Sequence, residues 1–157
     1  MAGAYIVGVG ETRHVSSRDD VNTTELAWEA VGAALADAGV ELDEIDNAVT
    51  ASQDFWEGRT ISSMAVNEVV AGYLRPEAKV AADGAQAVMY EWARIAGGTY
   101  RLGLVVAHCK ESAADPHGVD VAAMDPYYLR DLDVDELVAA GLQAALLGTP
   151  ADLRARA

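Results

Sequence analysis

Short apolar runs, each too brief for a full helix, alternate along this chain with alanine-rich segments that carry helix caps, and that alternation restricts the fold to an α/β layer. The clearest run is Leu102-Gly103-Leu104-Val105-Val106-Ala107-His108, which reads as a buried strand. Ala4 to Gly10, Ala48 to Ser52 and Lys79 to Ala82 read as three more. Asn22 offers an N-cap with Glu25 three residues on, and Gly39 suits the left-handed residue that closes a helix. Between them Leu26, Ala27, Ala30, Val31, Ala34, Leu35 and Ala38 keep helical spacing, which predicts a helix from about Thr23 to Ala38. A second helix is expected from Gly84 to Ala96, ended by Gly97-Gly98. The order predicts a βαβαβ arrangement with a largely parallel sheet covered by helices.

The other segments are less regular. Thr60 to Tyr73 has apolar residues at helical intervals and is expected to be a helix broken by Pro76. Ala113 to Arg130 contains Pro116, Gly118 and Pro126 and reads as loop, with helices at Val134 to Leu147 and from Thr149, where Pro150 takes the first helical position. No linker or internal repeat interrupts the sequence, so residues 1–157 are expected to form one domain, with loop and helices from about residue 113 onward.

Composition narrows the function. The 25 acidic and 11 basic side chains give a formal charge of -14, a field that repels nucleic acid and anionic membrane surfaces. An anionic ligand would need a local cationic patch or a partner. A single cysteine, Cys109, excludes an intramolecular disulfide framework. No apolar run has the length of a membrane span, and the start lacks the pattern of a secretory signal, so a cytoplasmic address is expected. Gly8-Val9-Gly10 is no dinucleotide fingerprint, because Arg13 stands where the third glycine belongs. His14, His108 and His117 show no metal-ligand spacing, so no metal is expected.

Three blocks together resemble thiolases, particularly the sterol-carrier and archaeal thiolase-like branch. Ile6-Val7-Gly8-Val9-Gly10-Glu11-Thr12 and the following helix make the first. The second is Val80 to Ala96, where Gly84-Ala85-Gln86-Ala87 is similar to the Gly-x-x-Ala that follows the family's nucleophilic cysteine. The third is Ile95-Ala96-Gly97-Gly98 running into Leu104 to Ser112, and Asp125-Pro126-Tyr127 resembles a further feature of the branch. The resemblance implies a thiolase-like half-fold, the N-terminal half. It departs from the family twice. Ala81 stands where the nucleophilic cysteine would be, and alanine cannot form an acyl-enzyme. The second half, which brings a histidine base, another cysteine and a Gly-His-Pro segment, is not in these residues.

Each candidate residue has two readings. Cys109 is either a displaced nucleophile or a small apolar filler. His108 is either a general base or a strand-end histidine bonded to backbone, and strand alternation makes a Cys109–His108 dyad poor. Asp83 is either an acid or base at the acyl pocket or, the favoured reading, the N-cap of the second helix. Ala81 and Gly84 would line the substrate position. Phe55 and Trp56 suggest a subunit contact more than a ligand entrance.

The resemblance implies a subunit of a heteromeric thiolase-like complex acting on an acyl-CoA or carrier-bound thioester, as an acyltransferase or aldolase component in C–C bond cleavage or formation. It implies coenzyme A thioester as substrate and no tightly bound cofactor. A thiolase-like partner subunit is expected, with a zinc-ribbon and oligonucleotide-binding-type acyl-CoA accessory protein as a further partner. The competing expectation is a non-catalytic pseudo-enzyme that stabilises or positions a complete partner. Either way the chain is expected to be oligomeric.

Overall fold

A computed structural model describes residues 3–123, 127, 130–132 and 134–147. The chain divides into two compact units, one ending at Ala114 and one starting at Asp115. Thr149 to Asp152 and the Asp125-Pro126 pair lie outside the described residues.

The first unit is α/β. Three parallel strands, β1 (Asn47–Ala51), β2 (Glu77–Val80) and β3 (Gly103–Ala107), form one sheet in the order β2-β1-β3. The central strand β1 is buried along its whole length, as the middle of a parallel sheet covered on both faces must be. Alternation along the strands divides the core in two. Leu104 and Val106 face α1 (Thr23–Ala38), where they pack with Ala27, Val31 and Leu35 and with Val66 and Val70 of the following segment. Val49, Ala51, Ala78, Val80 and Val105 face α2 (Gly84–Ala96) around the buried Ala87.

Both helices take the limits that their caps dictate. The Asn22 side chain accepts from the Glu25 amide at 2.9 Å and the Glu25 carboxylate accepts from the Asn22 amide at 2.8 Å, while Gly39 closes α1 at φ 67°. At the amino end of the sheet, the Glu91 carboxylate of α2 is buried and accepts from Asn47 Nδ2 at 3.0 Å. Arg94 Nη1 lies 3.4 Å from its other oxygen. Burial raises the Glu91 pKa above the ordinary carboxylate value. Gly103 permits this approach, since a Cβ there would collide with the Glu91 carboxylate.

Three expectations are corrected. Ala4 to Gly10 is not a strand of the sheet. The Val9 amide donates to Asp37 Oδ2 at 3.0 Å instead of to a neighbouring strand. Gly8 and Gly10 lie so close to α1 that a Cβ on either would collide with helix backbone, so the segment is spent on the helix surface. Thr60 to Tyr73 is not a helix. It makes one 3-10 turn at Ser63–Ala65 and then irregular turns, with Ala71 at φ 62° and Leu74 at φ 57°. Burial of Val66, Val70 and Ala71 in one core, with the Ser62 amide held by Asp54, outweighs helix propagation there. The loop expected at Ala113 to Arg130 contains α3 (Pro116–Ala123). Asp115 accepts from the Gly118 amide at 3.2 Å and Pro116 occupies the first helical position, both of which favour a helix start.

Within the second unit, α3 is followed by α4 (Glu136–Leu147), whose start is capped by Asp135 accepting from the Val138 amide at 2.7 Å. His117 Nδ1 lies 3.5 Å from Asp135 Oδ2. Among the described residues no helix is long and apolar enough to cross a membrane.

Candidate functional site

Strand register places the site. Ala51 of β1 pairs with Val80 on one side and Ala107 on the other, so the next residues, Ser52, Ala81 and His108, form one rim at the carboxyl ends of the strands. The ladder runs into that rim, with the Ser52 amide on the Val80 carbonyl at 3.3 Å and the His108 amide on the Ala51 carbonyl at 3.0 Å. In open parallel sheets this carboxyl end is where ligands bind. Alternation turns Ser52, Lys79 and His108 toward the α1 face, and residues 53–62 return to them carrying Asp54, Glu57 and Ser62.

Two polar clusters result. In the first, His108 Nδ1 lies 2.8 Å from Glu57 Oε1, and the two side chains are 5% and 1% exposed. In the tautomer that donates from Nδ1 to the Glu57 carboxylate, the neutral ring keeps its lone pair on Nε2. Glu57 Oε2 and His108 Nε2 are both buried, and neither has a hydrogen-bond partner among the described residues. Glu57 is presented by a tight turn in which the Gly58 amide donates to the Phe55 carbonyl at 2.8 Å, with Phe55 at φ 73° and Gly58 at φ 72°. Glycine adopts that conformation freely, whereas Phe55 is strained in it. Phe55 is exposed and Trp56 half-buried on this turn.

In the second cluster the Ser52 and Ser62 hydroxyls are 2.8 Å apart. Ser62 Oγ donates to Asp54 Oδ1 at 3.0 Å and the Ser62 amide to the same oxygen at 2.9 Å. The Lys79 ammonium donates to it as well. Those donors, Lys79 first, hold the Asp54 pKa down to about 2.

The bend between β2 and α2 carries the remaining expected residues. Ala81 is exposed. Asp83 caps α2, its carboxylate accepting from the Gln86 amide at 3.0 Å and its carbonyl from the Ala87 amide at 3.3 Å. The Gln86 amide is one of the four that an α-helix leaves over at its start, and those of Gly84 and Ala85 do not bond to Asp83. Gly84 sits against the end of β3, where an added Cβ would stand 3.0 Å from Ala107 Cβ.

Cys109, just past His108, is exposed. Its thiol reaches Glu111 at 3.8 Å and not the histidine. Desolvation first, then the Glu57 and Glu111 charges, push its pKa up to about 11. That environment disfavours the thiolate a nucleophile needs. Beyond Cys109 a cavity of about 260 Å³ is lined by residues 12–18, Leu26 and residues 109–112.

The structure therefore brings together His108 with Glu57 and leaves Cys109, Ala81 and Asp83 on the same rim without a shared contact. Glu57, Asp54, Lys79, Ser52 and Ser62 were not singled out from the sequence. The one available signal was a pair of acidic residues in the loop directly after a central strand, at Asp54 and Glu57. Among the described residues no group of three His, Cys, Asp or Glu side chains is placed to hold a metal ion. A comparison of the chain with models of known families finds no match, and a comparison with curated proteins finds none.

Proposed function

We propose that this chain is one subunit of a heteromeric thiolase-like assembly acting on an acyl thioester, and that His108 is its acid–base group, oriented by Glu57. The observation that carries the reading is the buried 2.8 Å contact between His108 Nδ1 and Glu57 at the carboxyl end of a parallel sheet. A histidine whose Nδ1–H donates to a fixed carboxylate presents Nε2 as a base, the arrangement that recurs wherever a carboxylate orients a catalytic imidazole. Two further features support it. The start of α2, with its positive dipole end, stands beside the end of β3, where amide groups stabilise negative charge on a thioester oxygen. Ala81 offers a small apolar position and no nucleophile, so the chemistry assigned to this chain is proton transfer at carbon α to the thioester carbonyl, or at a β-hydroxyl. Removal of the α proton leaves an enolate whose charge the carbonyl oxygen holds until the C–C bond forms; removal of a β-hydroxyl proton leaves an alkoxide, and the charge passes to the carbonyl oxygen as the C–C bond breaks and the β-carbon becomes a carbonyl. The partner subunit would contribute any covalent step.

A second reading, the pseudo-enzyme that positions a complete partner, is favoured by a specific observation: His108 Nε2 is buried in this chain. A substrate reaches that nitrogen only if the residues that cover it move aside.

The test is turnover of the purified assembly with His108→Ala and Glu57→Gln, with subunit stoichiometry checked by light scattering. The first reading expects His108→Ala to lose at least about a hundredfold in kcat, the usual contribution of a general base. Unchanged kcat with an intact assembly leaves the pseudo-enzyme reading.

A further inference from the structure

We propose that the cavity between the amino-terminal segment and the loop after β3 binds a phosphate-bearing group, a diphosphate in particular. The proposal concerns binding alone and stands whether or not His108 is a base.

Charge is the first ground. The chain has 11 cationic side chains against 25 acidic ones, yet Arg13, Arg18 and Lys110 all line this one cavity of about 260 Å³, with Glu111 the one carboxylate in its lining. A concave site in which one sign of charge predominates focuses its field on a ligand of the other sign. In a molecule of charge -14 a gathering of cations in one cavity is what an anionic ligand requires.

The cations differ in what they are free to do. Arg18 is fixed. Its guanidinium donates to both Asp20 oxygens at 2.8 and 2.9 Å and to both Glu29 oxygens at 2.9 and 2.7 Å, and its charge is largely answered there. It acts as a rivet that holds the 12–18 segment to α1. Arg13 and Lys110 carry no ion pair among the described residues. They come from separate stretches of chain, one before α1 and one after β3. Lys110 makes a small contribution to lowering the pKa of Asp20, which Arg18 lowers chiefly. Two cations without an ion-pair partner among the described residues, on two segments that the fold brings to one cavity, are the donors a ligand would complete.

Donor type is the second ground. A guanidinium offers a planar fork that matches phosphate oxygens, and an ammonium adds a compact charge. Thr12, Ser16 and Ser112 add hydroxyls to the same lining, groups that donate to phosphate oxygens without bringing a compensating charge.

Isothermal titration of the full chain with inorganic diphosphate, ADP and coenzyme A tests this directly. Saturable binding of diphosphate that weakens with added salt is expected. Arg13→Ala and Lys110→Ala should each weaken it about tenfold, the lower range for a hydrogen bond to a charged group. Arg101→Ala, beside Asp46 at the other end of β3, should leave it unchanged. Circular dichroism of each variant guards against loss of fold, and Arg13→Lys, which keeps the charge but not the fork, should fall between wild type and alanine. Tighter binding of ADP and coenzyme A than of diphosphate supports a nucleotide as the source of the group, and equal binding supports the free anion. Absence of diphosphate binding, binding of coenzyme A without ADP or diphosphate, or affinity unchanged in both alanine variants would overturn the proposal.

Discussion

Replacing His108 by alanine should destabilise the first unit far more than the loss of an imidazole alone would. The side chain of Glu57 is 1% exposed and one of its oxygens already lacks a partner among the described residues, so its contact with His108 at 2.8 Å is what makes burial of the carboxylate tolerable. Removing one member of a buried pair costs about 3–5 kcal/mol, because the other is left charged and dry. A domain of this size has total stability of about 5–15 kcal/mol, and for a unit ending at Ala114 each kcal/mol moves Tm by about 4 °C, so the variant should melt ~12–20 °C lower. Glu57→Gln should cost less, since the amide oxygen still accepts from Nδ1, about 1 kcal/mol. The double variant His108→Ala/Glu57→Gln removes the stranded charge and should recover part of the loss, giving a coupling energy of about 2 kcal/mol. Urea and thermal melts followed by circular dichroism measure all four corners of the cycle. A cost below about 1 kcal/mol for His108→Ala, or single-variant costs that simply add, would show that the pair is not the closed unit described above.

Three further outcomes follow from the charged groups. Asp54 is held at about 2 in the folded chain against ~3.9 for an ordinary aspartate, so its contribution is present above the ordinary value and lost as pH falls through about 2; Asp54→Asn should lower Tm at neutral pH and match wild type in strong acid. Glu91 is displaced the other way, raised by burial, so its contribution is present in acid and lost as pH rises; Glu91→Gln should gain stability at neutral pH and none in acid, as paired melts would reveal. With a pKa of about 11, Cys109 is about 0.1% thiolate near pH 8, where an ordinary thiol is about a quarter ionised, so iodoacetamide should label it roughly a hundredfold more slowly than free cysteine, and labelling at the ordinary rate would refute the assigned environment.

What the sequence made legible is what local physics decides. The limits of α1 and α2 follow from Asn22, Glu25, Gly39, Asp83 and Gly97, each acting within one turn of the residue it caps. The apolar runs at β1, β2 and β3 fall within a few residues of the strands. What failed depends on partners distant in sequence. Ala4 to Gly10 has strand composition, but a strand needs a neighbour and this segment meets α1. Residues 60–73 have helical spacing, yet burial of Val66, Val70 and Ala71 and the hold of Asp54 on Ser62 bend them into turns. Asp115-Pro116 was a missed local signal, because an aspartate before a proline starts a helix as readily as it makes a turn. The site divides the same way. His108 stands out as the end of the best strand, whereas Glu57 lies 51 residues earlier and meets it only through sheet register.

The central claim, that His108 transfers protons at a thioester, is tested most directly by proton exchange, which needs a base and no nucleophile. The purified assembly, incubated with a saturated acyl-CoA in deuterium oxide, should wash deuterium into the α-carbon, read by mass spectrometry. His108→Ala should abolish that exchange and Cys109→Ser should leave it intact. Exchange that persists in the His108→Ala assembly would contradict the assignment and place the base on another subunit.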